Sequence, residues 1–187
     1  MMSFSLSVRA VDAAWDRPRL GEPPLVLDLP FDPSWRELAE SGVDRAELGE
    51  MLRVLSLPTH GREARLRGPE GELRSITAER GGRAVRATRF EDEIRIGWIR
   101  PQDLSAAIVD HLSPLHPGSG AASEPLVVSQ FGCRATDRLG REHRAGTITV
   151  LDTRRGRYVV RAGLPIRPAD KAAIIALLDT EAAQFPV

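Results

Sequence analysis

Apolar positions recur at helical spacing through the first third of the chain. Val8, Val11, Ala14 and Trp15 predict a helix from Ser7 to Arg19, with Ser7 as cap and Pro18 near its end. Gly21 to Pro24 breaks the chain, and Leu25 to Leu29 reads as a short strand. Asp32 or Ser34 can cap a helix from about Trp35 to Ser41. After Gly42, Asp44 caps another helix to about Ser56, with Leu48, Met51, Leu52 and Leu55 on one face.

The period then changes to two. Glu63 to Gly68, Leu73 to Arg80, Arg83 to Phe90 and Glu93 to Trp98 alternate as strands of an antiparallel meander. Gly68-Pro69-Glu70-Gly71, Gly81-Gly82 and Glu91-Asp92 supply the turns. Pro101 opens a helix to about Leu112. Residues 113–125, rich in proline and glycine, read as a linker. A second β block follows at Leu126 to Thr136, Glu142 to Asp152 and Arg157 to Leu164. Pro168 then opens a last helix to about Ala183.

The two β blocks echo each other. Ile99-Arg100-Pro101-Gln102-Asp103 matches Ile166-Arg167-Pro168-Ala169-Asp170, each before a helix. Gly82-Arg83 and Gly156-Arg157 precede strands that contain Val85-Arg86-Ala87 and Val160-Arg161-Ala162. A meander followed by a helix thus occurs twice. The expected fold is α+β: a central antiparallel β-sheet from two pseudo-symmetric meander–helix halves, with helices packed on the sheet. The chain is read as one domain, 1–187, with an N-terminal half (1–112), a linker (113–125) and a C-terminal half (126–187).

Composition narrows the function. The 187 residues are 42% hydrophobic and 28% charged, an ordinary globular mix that excludes disorder as the default. Lys plus Arg and Asp plus Glu are both 26, so no cation surplus favours non-specific nucleic-acid binding. Aromatics are 5%, few for a base-stacking RNA sheet, a reading that the arginine excess of residues 134–167 keeps open. The charge is nevertheless uneven. Residues 1–58 hold six arginines against ten acids, and residues 134–167 hold nine arginines against three. The basic block reads either as a solvated sheet face or as a docking surface for an acidic partner. Met1 to Trp15 has no basic n-region, and the longest apolar run, Ala172 to Leu178, is too short to span a membrane. The cytoplasm is the expected compartment.

Catalytic groups do not converge. The single cysteine, Cys133, can be drawn with His143 and Asp137 as a nucleophilic set. Yet Cys133 shares strand parity with Phe131 and Ala135 and should face the core. The four histidines are scattered, and no His-Glu-x-x-His run or phosphate loop is present. Neither an enzyme nor a metal or nucleotide cofactor is expected.

Ser129-Gln130-Phe131-Gly132, Asp137-Arg138-Leu139-Gly140-Arg141 and Asp152-Thr153-Arg154-Arg155-Gly156-Arg157-Tyr158 carry a family signal. Together they resemble the C-terminal signature of the EspG family, cytosolic chaperones of type VII (ESX) secretion in actinobacteria. Leu6 to Trp15, Pro24 to Asp28 and Glu47 to Pro58 resemble that family's opening elements. The resemblance departs in length: family members carry a helical bundle between the β halves, whereas Pro125 here runs straight into Gln130. It implies a chaperone that binds and shields a helical export substrate of the PE–PPE type. The alternative is a non-catalytic module that has lost that binding and pairs with itself through a sheet edge. Gln130, Phe131, Gly132, Asp137, Gly140, Asp152, Thr153, Gly156 and Tyr158 are read as structural, with Tyr158 a half-buried ring. Arg144 and Arg157 can pair with Asp137 and Asp152. The hairpin from Arg65 to Arg74 (Arg65, Arg67, Glu70, Arg74) and the block with Arg141, Arg144 and Arg157 are the expected partner contacts.

Overall fold

The computed structural model describes residues 3–185. Its centre is one antiparallel sheet of ten strands. The meander forms β2 (His60–Gly68), β3 (Gly71–Arg80), β4 (Arg83–Phe90) and β5 (Glu93–Ile99). Gly81 and Gly82 both take positive φ at the β3–β4 turn, which is why two glycines stand there. The second block forms β6 (Pro125–Thr136), β7 (Glu142–Arg144), β8 (Ile148–Thr153) and β9 (Gly156–Val160). β10 is the two-residue Arg167–Pro168, and β1 is Ser3–Ser7. The order is β1-β5-β4-β3-β2-β6-β8-β9-β10, with β7 paired to β6.

That order is symmetric about the antiparallel β2–β6 pair, with β3 opposite β8 and β4 opposite β9. Each meander leads into a helix: α5 (Leu104–Val109) after β5 and α6 (Lys171–Ala182) after β10. The two helices pack on each other. This is the arrangement that the repeated sequence pattern predicts.

Register decides which face each half buries. On β3, β4 and β5, Ile76, Ala78, Val85, Ala87, Ile94 and Ile96 share one face. α1 (Val8–Ala14) and α4 (Arg45–Ser56) cover it through Val11, Leu48, Met51, Leu52 and Leu55. On β2, β6 and β8, the buried residues Ala64, Phe131, Cys133, Ile148 and Val150 point to the opposite face. α5 and α6 close that second core through Ile108, Val109, Ile174 and Leu178. The cores therefore lie on opposite faces of opposite halves. The first face of the C-terminal half is left without a helix among the described residues.

Four sequence readings change, and one strand is added. The Ser7–Arg19 helix splits into α1 and α2 (Arg17–Leu20), with Trp15 extended between them. Pro18 lacks an N–H and its ring opposes a continuous turn, so the chain restarts there. Ser7 does cap α1, accepting the Ala10 N–H at 3.0 Å. Ser3–Ser7, to which the sequence pattern assigns no element, pairs along β5. Leu25–Leu29 is not a strand but a 3-10 turn, Leu25–Leu27, ended by Asp28 at φ 48°. The Glu142–Asp152 strand is interrupted between Arg144 and Ile148. Pro168 sits in β10 rather than in the last helix, which Asp170 caps by accepting the Ala173 N–H at 2.7 Å.

The linker is fixed rather than loose. Gly118 donates to the Arg157 carbonyl at 2.8 Å, and Arg157 donates to the His116 carbonyl at 2.9 Å. Gly118 lies so close to the Tyr158 ring that an added Cβ would fall 2.1 Å from Cζ. Gly118→Ala is expected to destabilise by about 1–3 kcal/mol through overpacking, read as a shifted urea midpoint.

His111 lies under β3 and β4, with Nε2 3.1 Å from both Ser75 Oγ and Thr88 Oγ1. Burial, then the nearby Arg86, pushes its pKa down to about 4; Lys171 also lowers it, and Asp110 opposes them. The unfolded chain therefore takes up this proton near pH 6.5, before the folded one does. Stability should fall as pH drops from about 6.5 to 4, by on the order of 2 kcal/mol, since solvent still screens the partly exposed ring. Urea titrations across that range check this, with His111→Gln expected to flatten the slope.

Candidate partner-binding face

The strip of the first face beyond α1 and α4, where β3 and β2 run into β6, gathers most of the predicted contact residues. Side chains alternate, so Glu63, Arg65 and Arg67 of β2 point there, as do Glu72 and Arg74 of β3 and Gln130 and Gly132 of β6. Arg65 Nε reaches Glu72 Oε1 at 2.6 Å, Arg67 Nε reaches Oε2 at 2.9 Å, and Arg74 Nε reaches Oε1 at 2.7 Å. Three guanidiniums thus share one carboxylate. Partial burial acts to raise the Glu72 pKa, but the hydrogen bonds from Arg74 and Arg67 outweigh it and hold it below the usual range. Arg74 also pairs with Asp28, whose backbone carbonyl accepts from Arg89. Cation charge exceeds anion charge here, and the cluster is cross-linked in place.

Beside this cluster lies a groove of about 330 Å3, with Glu63, Arg65, Gln130, Gly132, Arg134 and Arg144 along it. Leu25, 80% exposed, stands at one wall. Arg144 is half-exposed, with Nε 2.7 Å from Glu142 and Nη1 4.0 Å from Glu63. Arg134 is buried at the floor, where Nη2 donates to the Leu55 carbonyl at 3.1 Å. The surface offers an apolar rim, a flat sheet floor and several oriented cations.

The remaining candidates lie elsewhere. Glu70 stands exposed at the β2–β3 turn, and Arg141 sits on the turn before β7. Arg157 is 0% exposed and cannot meet a partner. Its Nε binds Asp152 Oδ1 at 2.6 Å, Nη2 binds Oδ2 at 2.8 Å, and Nη2 also reaches the Ser113 carbonyl at 2.8 Å. Arg144 does not pair with Asp137; His143 does, Nε2 to Oδ2 at 3.0 Å. Asp137 also accepts the Leu139 and Arg141 N–H groups, each at 2.9 Å. The His143 bond first, then the backbone donors, hold its carboxyl below the usual range. Gly140, at φ 77°, completes that turn. Thr153 Oγ1 donates to the Gly156 carbonyl at 3.0 Å and accepts the Arg155 N–H at the same distance. Tyr158, read as half-buried, is 1% exposed, with its hydroxyl donating to Ser119 O at 3.0 Å.

Sequence reasoning missed Glu72, Asp28, Glu63 and Leu25. Glu72 had a signal: it lies across the hairpin from Arg67, in register. Asp28 and Leu25 had none, because their placement depends on the 3-10 turn.

Of the drawn nucleophilic set, His143 and Asp137 meet, whereas the Cys133 thiol turns to α6. Cys133 is buried against α6, its thiol donating to the Leu178 carbonyl at 3.4 Å, and burial pushes its pKa up to about 11. A thiol so protonated is a poor nucleophile. No helix of the described residues is long and apolar enough to cross a membrane.

Comparisons with known proteins complete the picture. The model of the EspG family matches residues 7–125. The fold is similar to that of the type VII secretion system chaperone EspG5 of Mycobacterium tuberculosis, solved in complex with a PE25–PPE41 dimer. That match has a TM-score of 0.76 at 15% identity and covers 99% of this chain and 97% of that one. The likeness is thus one of the whole fold, not of one half. No curated protein matches the sequence.

Proposed function

This chain belongs to the EspG family, and we propose that it is a cytoplasmic type VII (ESX) secretion chaperone that binds and shields a helical substrate of the PE–PPE type. The arginine-lined strip of the first sheet face across β3, β2 and β6 supports the placement. Arg65, Arg67, Arg74, Gln130 and Arg144 contribute to that one surface, with exposed Leu25 at its rim. A partner helix laid there would cover apolar surface while its acidic side chains meet fixed guanidiniums. Binding of this kind needs no catalysis. The solved EspG5 complex supports the choice of cargo class.

The test is co-expression with a PE–PPE-type pair, followed by size-exclusion chromatography with light scattering. A stable complex of one copy of each chain is expected. Aggregated cargo beside a lone 20.5 kDa chain would sink the reading. A second reading, a self-pairing interaction module, has one observation in its favour. β1 is an edge strand whose five residues, Ser-Phe-Ser-Leu-Ser, carry no charge or proline to deter another strand. Self-association of the purified chain, with no response to cargo, would select it.

A further inference from the structure

Beyond the end of α5, the second sheet face of the N-terminal half holds an open cavity of about 330 Å3. α5 packs on β2, β3 and β4. α1 and α4 cover the first face, and α2 and α3 (Trp35–Glu40) pack on them, so those helices lie on the far side of the sheet. A volume of this size suits a small molecule.

β4 provides the floor. Arg86, Thr88 and Phe90 alternate onto this face, opposite Gly97, Arg95 and Glu93 of β5. Gly97 carries no side chain, so no β5 group fills the space across from Arg86. Arg86 Nη1 donates to the Ala107 carbonyl at 3.2 Å, which fixes the guanidinium. Its Nε and Nη2 bond no described residue, and both remain open to solvent. Those two groups form the fork that meets both oxygens of one carboxylate.

The charges that face the cavity favour an anion. Arg86 pairs with no acid among the described residues. Glu93 lines the cavity, but Arg95 Nε bonds it at 2.9 Å and Ser5 also donates to it. His111 stays neutral at pH 7: burial first, then the Arg86 charge, presses its pKa down to about 4, while Asp110 and Lys171 act on the ring with opposite signs. Two guanidiniums and one carboxylate leave one positive charge, which suits a monoanion better than a dianionic phosphate.

The other end of the cavity is apolar. Phe90 is 42% exposed and stands opposite Leu73 of β3, which also lines the cavity. Phe90 lies four residues along β4 from Arg86, roughly 13 Å between Cα atoms. A ligand that reaches both therefore has an acid at one end and an apolar body at the other.

We infer that this cavity binds a small monocarboxylic acid with an apolar tail, its carboxylate on the Arg86 fork and its tail on Phe90 and Leu73. The site lies on the opposite side of the sheet from Arg65 and Gln130 and does not depend on the cargo assignment.

The experiment titrates the 15N-labelled full chain with 4-phenylbutyrate at pH 7. Saturable shifts of the Arg86 Nε–H and Phe90 amide signals are expected. The neutral 4-phenylbutyramide should bind roughly tenfold more weakly or worse, since it loses a charge-assisted pair. Butyrate, which lacks the ring, should also bind roughly tenfold more weakly. Arg86→Gln should lose the response. Phe90→Ala, at an exposed position, should weaken it and keeps the test open should Arg86→Gln fail to fold. The proposal is overturned by shifts that do not saturate, by shifts centred on Arg65 and Gln130, or by equal affinity for the amide or for butyrate. Inorganic phosphate that competes as well as the acid would likewise overturn it.

Discussion

Asp152→Ala is expected to cost the fold about 3–5 kcal/mol, the range seen when one partner of a buried ion pair is removed. Asp152 and Arg157 face each other across the β8–β9 hairpin, and both are nearly inaccessible. Two hydrogen bonds join them, and Ser113 adds to both sides: its carbonyl accepts from Arg157 and its hydroxyl donates to Asp152 at 3.2 Å. Without the carboxylate, a guanidinium that cannot deprotonate is left in the sheet with one carbonyl partner. Urea unfolding followed by tryptophan fluorescence measures the loss. The linker should loosen with it, because Arg157 also fixes His116 and Gly118 through its backbone. Hydrogen exchange at Gly118 and Ser119 should therefore quicken. The double variant Asp152→Leu with Arg157→Met separates charge from packing. It should recover most of the stability, since an apolar pair avoids desolvating two ions. A single-variant loss under about 1 kcal/mol would mean that solvent reaches the guanidinium after all.

The same pair shows what the sequence discloses and what it withholds. Arg157 is one of 25 arginines, and composition marks none of them as special. Strand parity does, because Arg157 shares a face with buried Val159, and Asp152 lies across the Thr153–Gly156 turn. Pairing and partner contact were both open from the residues; burial chooses pairing. The meanders were legible because period two and glycine turns are local signals. The placement of the bare face was not. Ala64 and Ile76 sit on adjacent strands with equally clear alternation, yet point to opposite faces. Cross-strand register makes that choice, and register is a long-range property. The apolar run at Leu25 to Leu29 failed for the opposite reason. It is short and bounded by prolines, so period cannot assign it, and a left-handed Asp28 turns it into a wall of the candidate groove.

Gly132→Trp is expected to leave the fold intact and weaken cargo binding by more than about 100-fold, as loss of a central contact can. Gly132 pairs with Glu63 on the bare face, and a Cβ added there would meet nothing within 4 Å. Tryptophan suits a strand, so unfolding midpoints should move by only a few tenths of a kcal/mol. Its indole would nevertheless occupy the groove beside Gln130, Arg65 and Arg144, where the partner helix is placed. Blocking the floor tests position without removing charge. Arg65→Glu tests charge without filling space, and should act more mildly because Glu72 already draws on that guanidinium. Titration of the co-purified PE–PPE-type pair against each variant by calorimetry reads both effects. If Gly132→Trp binds as the parent chain does, the cargo lies elsewhere on the molecule. If Arg65→Glu alone abolishes binding, the partner is held by charge at the hairpin rather than by contact with the sheet floor.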